Sequence, residues 1–350
     1  MEIIESKYNF SEMHQRMQFY VDSGILPCCA TAVFKGTDLV DHQTFGFMDL
    51  ETREPLRDDA IYRMASNTKL VTSVALMMLQ EEGLFDLDDP LAKFMPEFGE
   101  MQVLQPHATT EADVHRAKIL ISIRHLLSHS AGLSYGFVEP DSVIDQCYLN
   151  DGINGLGEKD IDLEGLCAGI AKLPLAFEPG TSWRYSFATD VCARLVEVLS
   201  GQSFDAFLRQ RIFEPLGMVD TDFWVPQEKA HRLITMYSPE DLFDPMKPGL
   251  NKAGDMITGP YRARPKMLSG GGGLVSTVAD YSSFLRMIVN DGEWSGAQLL
   301  KPETLRLMRS NHLADGVQVA FPMWAMPGTV FGLGFAVKYK LQPNDPAAAL

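Results

Sequence analysis

The strand-like segments of this sequence lie near its two ends, and helical segments fill most of the middle. Near the N-terminus, apolar runs at 29–34 and 39–47 flank residues 35–38, whose Gly and Asp are typical of a tight turn. Near the other end, residues 331–340 are the last strand candidate. Between them, apolar residues recur every three or four positions, which indicates helices. We therefore predict a sheet built from both ends of the chain, with a helical insertion between its parts.

Composition and charge narrow the class of protein. Of 350 residues, 46% are hydrophobic and 22% are charged, which is typical of a globular protein with a sizeable core. The net charge of −16 argues against nucleic acid or an anionic membrane as a partner, because both favour clustered Lys and Arg. No apolar run reaches the roughly 18–20 residues of a membrane span. The first ten residues also lack a signal-peptide pattern, so we predict a cytoplasmic protein.

The cysteines agree with a reducing compartment. There are five of them, an odd number without a C-x-x-C pair. This pattern favours reduced and mostly buried thiols over a disulfide framework. Cys28 and Cys29 open an apolar strand-like run, so we expect them to belong to the core rather than to a redox site.

The sharpest chemical feature is Ser66-Asn67-Thr68-Lys69 at the start of a helix predicted over 66–82. A spacing of three puts Ser66 and Lys69 on one helical face, about 4.5 Å apart along the axis. A partly desolvated lysine can help to remove the proton that keeps a serine from acting as a nucleophile. The same pattern is also common as an ordinary helix start, so alone it is weak. Tyr185 is a second candidate, because a phenol beside an ammonium can transfer a proton.

Two further motifs favour structural interpretations. Ser134 lies in a G-x-S-x-G pattern, but the nucleophile elbow of α/β-hydrolases needs a strand before it and a helix after it. Here a helix predicted over 121–130 precedes Ser134, and residues 133–160 read as a long surface loop, a candidate lid. We expect Ser134 to form a wall of the site. His125 and His129 have the i, i+4 spacing of zinc ligands, but no third ligand stands out, so no metal site is predicted.

Four segments in fixed order carry a family resemblance. They are Ser66-Asn67-Thr68-Lys69, residues 127–133 (Leu-Ser-His-Ser-Ala-Gly-Leu), residues 177–180 (Phe-Glu-Pro-Gly) with Tyr185-Ser186, and Ser269 followed by four glycines. Together they resemble the serine β-lactamase and penicillin-recognising superfamily. Within it, the chain is most similar to the family VIII carboxylesterases, which are related to class C β-lactamases. The resemblance covers roughly residues 10–340.

The resemblance implies an α/β (α+β) serine β-lactamase-like fold, in which helices flank an antiparallel sheet and a mainly helical region completes the unit. It implies a single catalytic domain over 1–350. The sheet part is expected at 1–65 and about 274–350, and the mainly helical part at about 66–273.

The resemblance also implies catalytic roles. Ser66 attacks the acyl carbonyl, and its backbone N–H supplies one oxyanion donor. Lys69 assists deprotonation of Ser66 and Tyr185. Tyr185 is the general base for acylation and then the acid toward the leaving alcohol. Neither a metal nor an organic cofactor is implied.

Four residues are expected to shape the substrate site. Trp183 and Phe187 flank Tyr185 and are candidates to line an apolar acyl pocket. Gly271 and Gly272 belong to the glycine run 270–273, which resembles the segment that lets backbone approach the site. That run is not a phosphate loop, because Lys-Ser/Thr does not follow it.

The sequence departs from the family pattern at two places. In class C β-lactamases, an Asn that binds the substrate amide follows the tyrosine by two positions, and here Phe187 stands there. This change favours esters over lactams or peptides. The third motif, Lys-Thr-Gly or a His/Trp variant before Gly, is missing before Leu350, and relatives continue beyond that point. We therefore expect this 350-residue form to have an incomplete oxyanion hole and to be impaired.

The predicted function is hydrolysis of small-molecule carboxylic esters with short acyl chains through an acyl-Ser66 intermediate. A β-lactamase, a D-amino-acid peptidase and an acyltransferase of the same superfamily are alternatives. A non-catalytic binding protein is disfavoured, because Ser66, Lys69 and Tyr185 are all present. The sequence leaves the oligomeric state open.

Overall fold

The computed structural model describes residues 2–4, 7–153, 161–242, 244–253, 261–321 and 326–338. Its α-helices are α1 (Ser11–Asp22), α2 (Thr68–Glu81), α3 (Ile123–Leu127), α4 (Val143–Asn150), α5 (Leu163–Ile170), α6 (Ala188–Ser200), α7 (Phe204–Leu208), α8 (Glu214–Leu216), α9 (Val278–Val289) and α10 (Pro302–Met308). Short 3₁₀ helices lie at Ala65–Asn67, Leu91–Lys93, Pro96–Glu100 and Gln227–Arg232, and a π-helical turn lies at Arg209–Phe213.

The strands are short and antiparallel. They are β1 (Cys28–Lys35), β2 (Asp38–Asp49), β3 (Glu54–Pro55), β4 (Tyr62–Arg63), β5 (Gln102–Leu104), β6 (Val114–Arg116), β7 (Tyr237–Pro239), β8 (Leu250–Lys252), β9 (Val275–Ser276), β10 (Glu293–Trp294), β11 (Ala297–Gln298), β12 (Thr329–Phe331) and β13 (Ala336–Lys338). Over the described ranges, β1-β2-β3 form one three-stranded sheet and the other strands pair two by two.

The chain divides into two compact units. The first comprises Met1–Met64, Arg209–Pro265 and Leu274–Leu299, and the second comprises Ala65–Leu208, Lys266–Gly273 and Leu300–Leu350. Each is built from separate stretches of sequence, so neither folds from one continuous segment.

The first unit contains the predicted N-terminal hairpin. Strands β1 and β2 pair in antiparallel register from Cys28 opposite Gly46 to Lys35 opposite Asp38, so the hairpin prediction is confirmed. Gly36 in the connecting turn has φ +61°, a left-handed conformation that glycine adopts without steric cost. Strand β4 pairs with β9 through Tyr62 opposite Ser276.

The second unit is centred on α2, whose prediction over 66–82 is confirmed. The helix is buried on nearly all sides from Thr68 to Leu79, which is typical of a helix in the middle of a core. It packs against α6. Lys69 of α2 and Asp190 of α6 are both buried, so these two ionisable side chains are held in surroundings with little water.

Two local predictions were wrong. Residues 133–160 are not one loop, because α4 begins within them. Its N-cap Ser142 accepts a hydrogen bond from the backbone N–H of Asp145, while Ile144 and Tyr148 are buried. Apolar residues at helical spacing after a capping serine were the missed signal. Residues 154–160 lie outside the described part of the chain.

The last predicted strand is a hairpin instead. Strands β12 and β13 pair with Thr329 opposite Lys338, and the chain reverses through Gly334 at φ +85°. A single strand cannot pass through this left-handed turn, and its glycine was the missed signal. Residues 339–340 lie outside the described ranges.

The five cysteines are free thiols, as predicted. The described residues include no helix that is both long and apolar enough to cross a membrane.

Candidate active site

Ser66 and Lys69 lie where a 3₁₀ turn becomes helix α2. Ala65, just before the serine, has φ +43°, in the left-handed region that residues other than glycine seldom occupy. Ser66 is exposed, whereas the Lys69 side chain three residues later is only 8% exposed. The turn therefore presents the hydroxyl to solvent and keeps the amine within the core of the second unit.

Tyr185 meets both of these residues. Its hydroxyl donates a hydrogen bond to Ser66 Oγ at 2.6 Å, and Lys69 Nζ donates to the same oxygen at 3.4 Å. Lys69 Nζ also lies 4.5 Å from the centroid of the Tyr185 ring. The structure thus brings the serine and lysine together with a tyrosine that is more than 100 residues away in the sequence. A serine oxygen held by a phenol and an ammonium can exchange its proton within one hydrogen-bonded cluster.

The Lys69 amine is held by the glycine run. Its Nζ donates to the carbonyl oxygen of Gly271 at 2.7 Å. The N–H of Gly271 in turn donates to Asp190 Oδ1 at 3.0 Å, and Ser269 Oγ donates to the same oxygen at 2.6 Å. Asp190 is 1% exposed, and this burial raises the pKa of its carboxyl, while Lys69 and the two hydrogen bonds oppose the rise.

Sequence reasoning missed Asp190. It lies in the first turn of α6, five residues after Tyr185, where every neighbouring side chain is buried. A single acid inside such an apolar helix start was the available signal, because buried carboxylates need partners. Asp190 holds the N–H of Gly271, and the carbonyl of Gly271 holds the Lys69 amine.

Gly271 and Gly272 differ in how much room they have. A Cβ on Gly271 would lie 2.8 Å from the Tyr135 hydroxyl and would also clash with Asp190. A Cβ on Gly272 would meet nothing closer than Ala65 at 3.9 Å. The site therefore requires glycine at 271 for close approach of the backbone, and it does not require it at 272.

The two predicted pocket residues are buried beside the tyrosine. Trp183 is 7% exposed and packs in a cluster with Leu313, Val319 and Phe331, against which Tyr185 also lies. Phe187 is 2% exposed and packs on Tyr135 and Tyr148, with ring centroids 4.4 and 6.0 Å apart. Direct contact of either residue with a substrate stays a prediction.

His129 is a buried neighbour of the tyrosine rather than an acid or base at the serine. Its Nδ1 lies 3.2 Å from Ser186 Oγ, and its ring is 5.1 Å from the Tyr185 ring. Burial, with the charge of Lys69, lowers the pKa of His129 to about 3, so the ring is neutral at pH 7. His125 has different partners, since its Nδ1 accepts the backbone N–H of Ser122 at 3.2 Å in the cap of α3.

Ser134 is fully buried and does not lie on a nucleophile elbow. Residues 128–142 contain neither a strand nor a helix. Its hydroxyl donates to Asp145 and accepts from Arg184 Nε at 2.6 Å. With no exposed surface, Ser134 is not open to a substrate, so it does not form an exposed wall of the site.

Comparison with known proteins identifies the family of the chain. The sequence model of the Beta-lactamase family matches residues 13–344. Protein Rv1367c of Mycobacterium tuberculosis is 33% identical over 330 residues, which are 93% of this chain and 77% of that protein. Esterase EstB of Burkholderia gladioli is 29% identical over an alignment of 333 residues, and the match covers 87% of this chain and 72% of that protein.

The fold has solved counterparts. The structure of "EstCE1, a hydrolase with promiscuous acyltransferase activity" has a TM-score of 0.78 and 24% identity. The match covers 93% of this chain and 82% of the EstCE1 chain. The predicted fold class, with helices and small antiparallel sheets, is confirmed, and so is the predicted resemblance to esterases of this fold.

Proposed function

The chain belongs to the beta-lactamase family, and we propose that it hydrolyses carboxylic esters with short acyl chains through an acyl-Ser66 intermediate. The observation that carries the proposal is the shared oxygen of Ser66, with the Tyr185 hydroxyl at 2.6 Å and the Lys69 amine at 3.4 Å. The family holds enzymes of the serine hydrolase type, including an esterase related to this chain.

Acylation follows from this cluster. Ser66 Oγ bonds to the ester carbonyl carbon as its proton passes to the Tyr185 oxygen, and the proton that the Tyr185 hydroxyl already carries moves toward the alcohol oxygen of the ester. The ammonium of Lys69 stabilises negative charge as it develops on either oxygen during the transfer. The tetrahedral adduct then breaks its bond to the alcohol oxygen, which takes the proton from Tyr185. An acyl-Ser66 ester and a free alcohol result.

Deacylation repeats the sequence with water. Tyr185 accepts a proton from the water that attacks the acyl carbonyl and passes its own hydroxyl proton to Ser66 Oγ, which leaves as the hydroxyl. The backbone N–H of Ser66 supplies one hydrogen bond to the oxyanion in both steps. These roles use the side chains of Ser66, Lys69 and Tyr185.

The preference for esters rests on Phe187. The family position that pairs with a substrate amide holds here a side chain without hydrogen-bonding groups. Phe187 is buried among aromatic rings, so no polar side-chain atom at this position reaches an amide. A site without the partner gains nothing from an amide over an ester.

Intact-mass measurement after brief exposure to p-nitrophenyl butyrate tests the proposal. We expect one butyryl adduct, mapped by peptide analysis to Ser66, which disappears in Ser66→Ala and persists in Ser134→Ala. An adduct on Ser134, or turnover that survives Ser66→Ala, would overturn the site. Faster turnover of nitrocefin than of the ester would favour a β-lactamase instead.

Acyl transfer is a second candidate, because EstCE1, which shares this fold, is a hydrolase with promiscuous acyltransferase activity. In that reaction, an acceptor alcohol or amine takes the place of water at the acyl-Ser66 carbonyl. Supplying acceptor alcohols and measuring the ratio of new ester to free acid separates the two reactions.

Since the five cysteines are free thiols, we also propose that the enzyme works in the cytoplasm.

A further inference from the structure

The residue before the tyrosine is tied into a buried polar cluster. Arg184 donates from Nε to Ser134 Oγ at 2.6 Å and from Nη2 to Asp145 Oδ1 at 2.8 Å. The arginine side chain is 14% exposed, and the aspartate is completely buried. We name Ser134, Asp145 and Arg184 the anchor cluster. Among the described residues, the Ser66 side chain is hydrogen-bonded to Lys69 and Tyr185 and to none of these three.

The anchor cluster is well satisfied, so its geometry is fixed. Asp145 accepts from Ser134 and Arg184 through one oxygen and from the Glu139 N–H at 2.6 Å through the other. Its own N–H donates to Ser142 Oγ in the cap of α4. A buried ion pair with several hydrogen bonds holds its members more rigidly than an exposed pair does.

The backbone around Tyr185 is attached to the same region. The Arg184 N–H donates to the His129 carbonyl at 2.9 Å, and the Phe187 N–H donates to the Ser134 carbonyl at 3.3 Å. These bonds lie on either side of Tyr185 in the sequence. The tyrosine thus sits on a short segment that is fixed at both ends, with the arginine side chain as the third attachment.

We propose that Arg184 and Asp145 are positioning residues that set the distance between the Tyr185 hydroxyl and Ser66 Oγ. The inference rests on the proposed role of Tyr185. Proton transfer requires the two oxygens to stay within hydrogen-bond reach, and a displacement of about 1 Å can cost roughly 100-fold in rate. The G-x-S-x-G serine then has a function, which is to hold the arginine rather than to attack a substrate.

A double-mutant cycle with Tyr185 tests the proposal. The readout is the rate at which a fluorophosphonate labels Ser66, followed by intact mass, because labelling needs the activated serine and no particular ester. We expect Arg184→Met to slow labelling about 10- to 100-fold. In the Tyr185→Phe background, the same change should alter the rate by less than about 2-fold, since its effect passes through the tyrosine.

Two variants guard against a trivial loss of structure. Arg184→Lys keeps the charge but not the planar two-point contact, and we expect a smaller loss than for Arg184→Met. If Arg184→Met does not fold, Arg184→Lys carries the cycle. Arg184 pairs with the carboxylates of Asp145 and Glu139, and Arg194 likewise pairs with two, those of Glu164 and Glu197. Arg194→Met is therefore the matched control, and we expect its labelling rate to be unchanged.

The outcomes separate the proposals. Equal slowing by Arg184→Met with and without the Tyr185 hydroxyl would show a general structural effect and overturn the positioning role. Unchanged labelling in both Arg184 variants would overturn it as well. Failure of the wild-type protein to label at Ser66 would instead overturn the proposed function, and with it this inference.

Discussion

Two serines of the second unit lie beside charged residues, but only one of them is exposed to solvent. Ser66 is exposed and shares its oxygen with a phenol and an amine. Ser134 has no exposed surface and shares its oxygen with a carboxylate and a guanidinium. Both lie in short patterns that are associated with nucleophilic serines, S-x-x-K and G-x-S-x-G.

The difference shows that a nucleophile is defined by its partners and its access to solvent. The Arg184 guanidinium is paired with the carboxylates of Asp145 and Glu139, so the charged groups beside Ser134 are already engaged with one another. At Ser66, the proton can move to the hydroxyl of Tyr185, a residue that is only half-buried and so remains partly open to solvent. This contrast leads to expectations that differ sharply between the two serines.

The same substitution at the two serines should have opposite effects on activity. Ser66→Ala should lower ester turnover by about 10⁴-fold or more, because it removes the nucleophile. Ser134→Ala should leave turnover within about 10-fold, since a loss there is limited to misplacement of the tyrosine. Steady-state hydrolysis of p-nitrophenyl butyrate by both purified variants provides the measurement. Comparable losses at the two positions would contradict the assignment of Ser66, rather than Ser134, as the nucleophile.

The free energy of unfolding should change in the reverse order, with a larger loss for Ser134→Ala than for Ser66→Ala. Ser134→Ala takes a buried hydrogen-bonding partner from both Asp145 and Arg184, and we expect a loss of about 3 kcal/mol in the free energy of unfolding. Ser66→Ala, at an exposed hydroxyl, should change it by less than about 0.5 kcal/mol. Urea denaturation of both variants gives the two values. A larger loss for Ser66→Ala would contradict the assignment.

The two glycines beside the lysine give a second matched pair. Gly271→Ala places a methyl group against Tyr135 and Asp190, and overpacking of this kind costs about 2 kcal/mol. The displaced carbonyl should also weaken its hydrogen bond to Lys69, so activity should fall. Gly272→Ala has open space and should behave like the wild-type protein. Unfolding curves and turnover of both variants check this expectation. Equal effects of the two substitutions would contradict the close packing described at Gly271.

Measured per pH unit, the smallest effect is expected from the titration of His129. The pKa of His129 is lowered from 6.5 to about 3, so below pH 6.5 the unfolded chain binds a proton that the folded chain does not. The free energy of unfolding should therefore fall as the pH drops from about 6.5 toward 3, by at most about 1.4 kcal/mol per pH unit from this residue. His129→Gln should remove that component.

The check compares the two proteins at several pH values. The difference in unfolding free energy between wild-type and His129→Gln protein should be largest at pH 7 and should shrink through pH 6 to pH 5. Parallel curves would mean that His129 is protonated equally in the folded and unfolded states. Such a result would place water beside the ring and weaken the description of this region as a dry core.

Local sequence signals predicted the longest hairpin and the central helix of the second unit. Turn residues at 35–38 and apolar runs on both sides indicated the β1–β2 hairpin, and the apolar stretch after Lys69 indicated α2. Helix α4 was missed because its buried residues are few and its surroundings are rich in turn residues. The β12–β13 hairpin was missed because one glycine at φ +85° reverses a run that otherwise reads as a single strand.

Local sequence signals also predicted part of the candidate site. Spacing alone places Ser66 near Lys69, because three residues make almost one helical turn. The spacing says nothing of Tyr185, 119 positions after the serine, which the ordered family segments pointed to. Asp190 and the partners of Ser134, which are Asp145 and Arg184, escaped notice, since their importance depends on burial and on partners that are distant in the sequence.

Local periodicity and spacing are enough to specify helix α2, the face that Ser66 and Lys69 share and the order of the segments that define the family. Which serine is open to a substrate depends instead on how the chain folds. The tertiary fold also decides which buried carboxylate lies near which cation: Asp190 lies near Lys69, and Asp145 pairs with Arg184. Burial removes water and makes each polar contact strong or costly, and burial is a property of the folded chain rather than of any short segment.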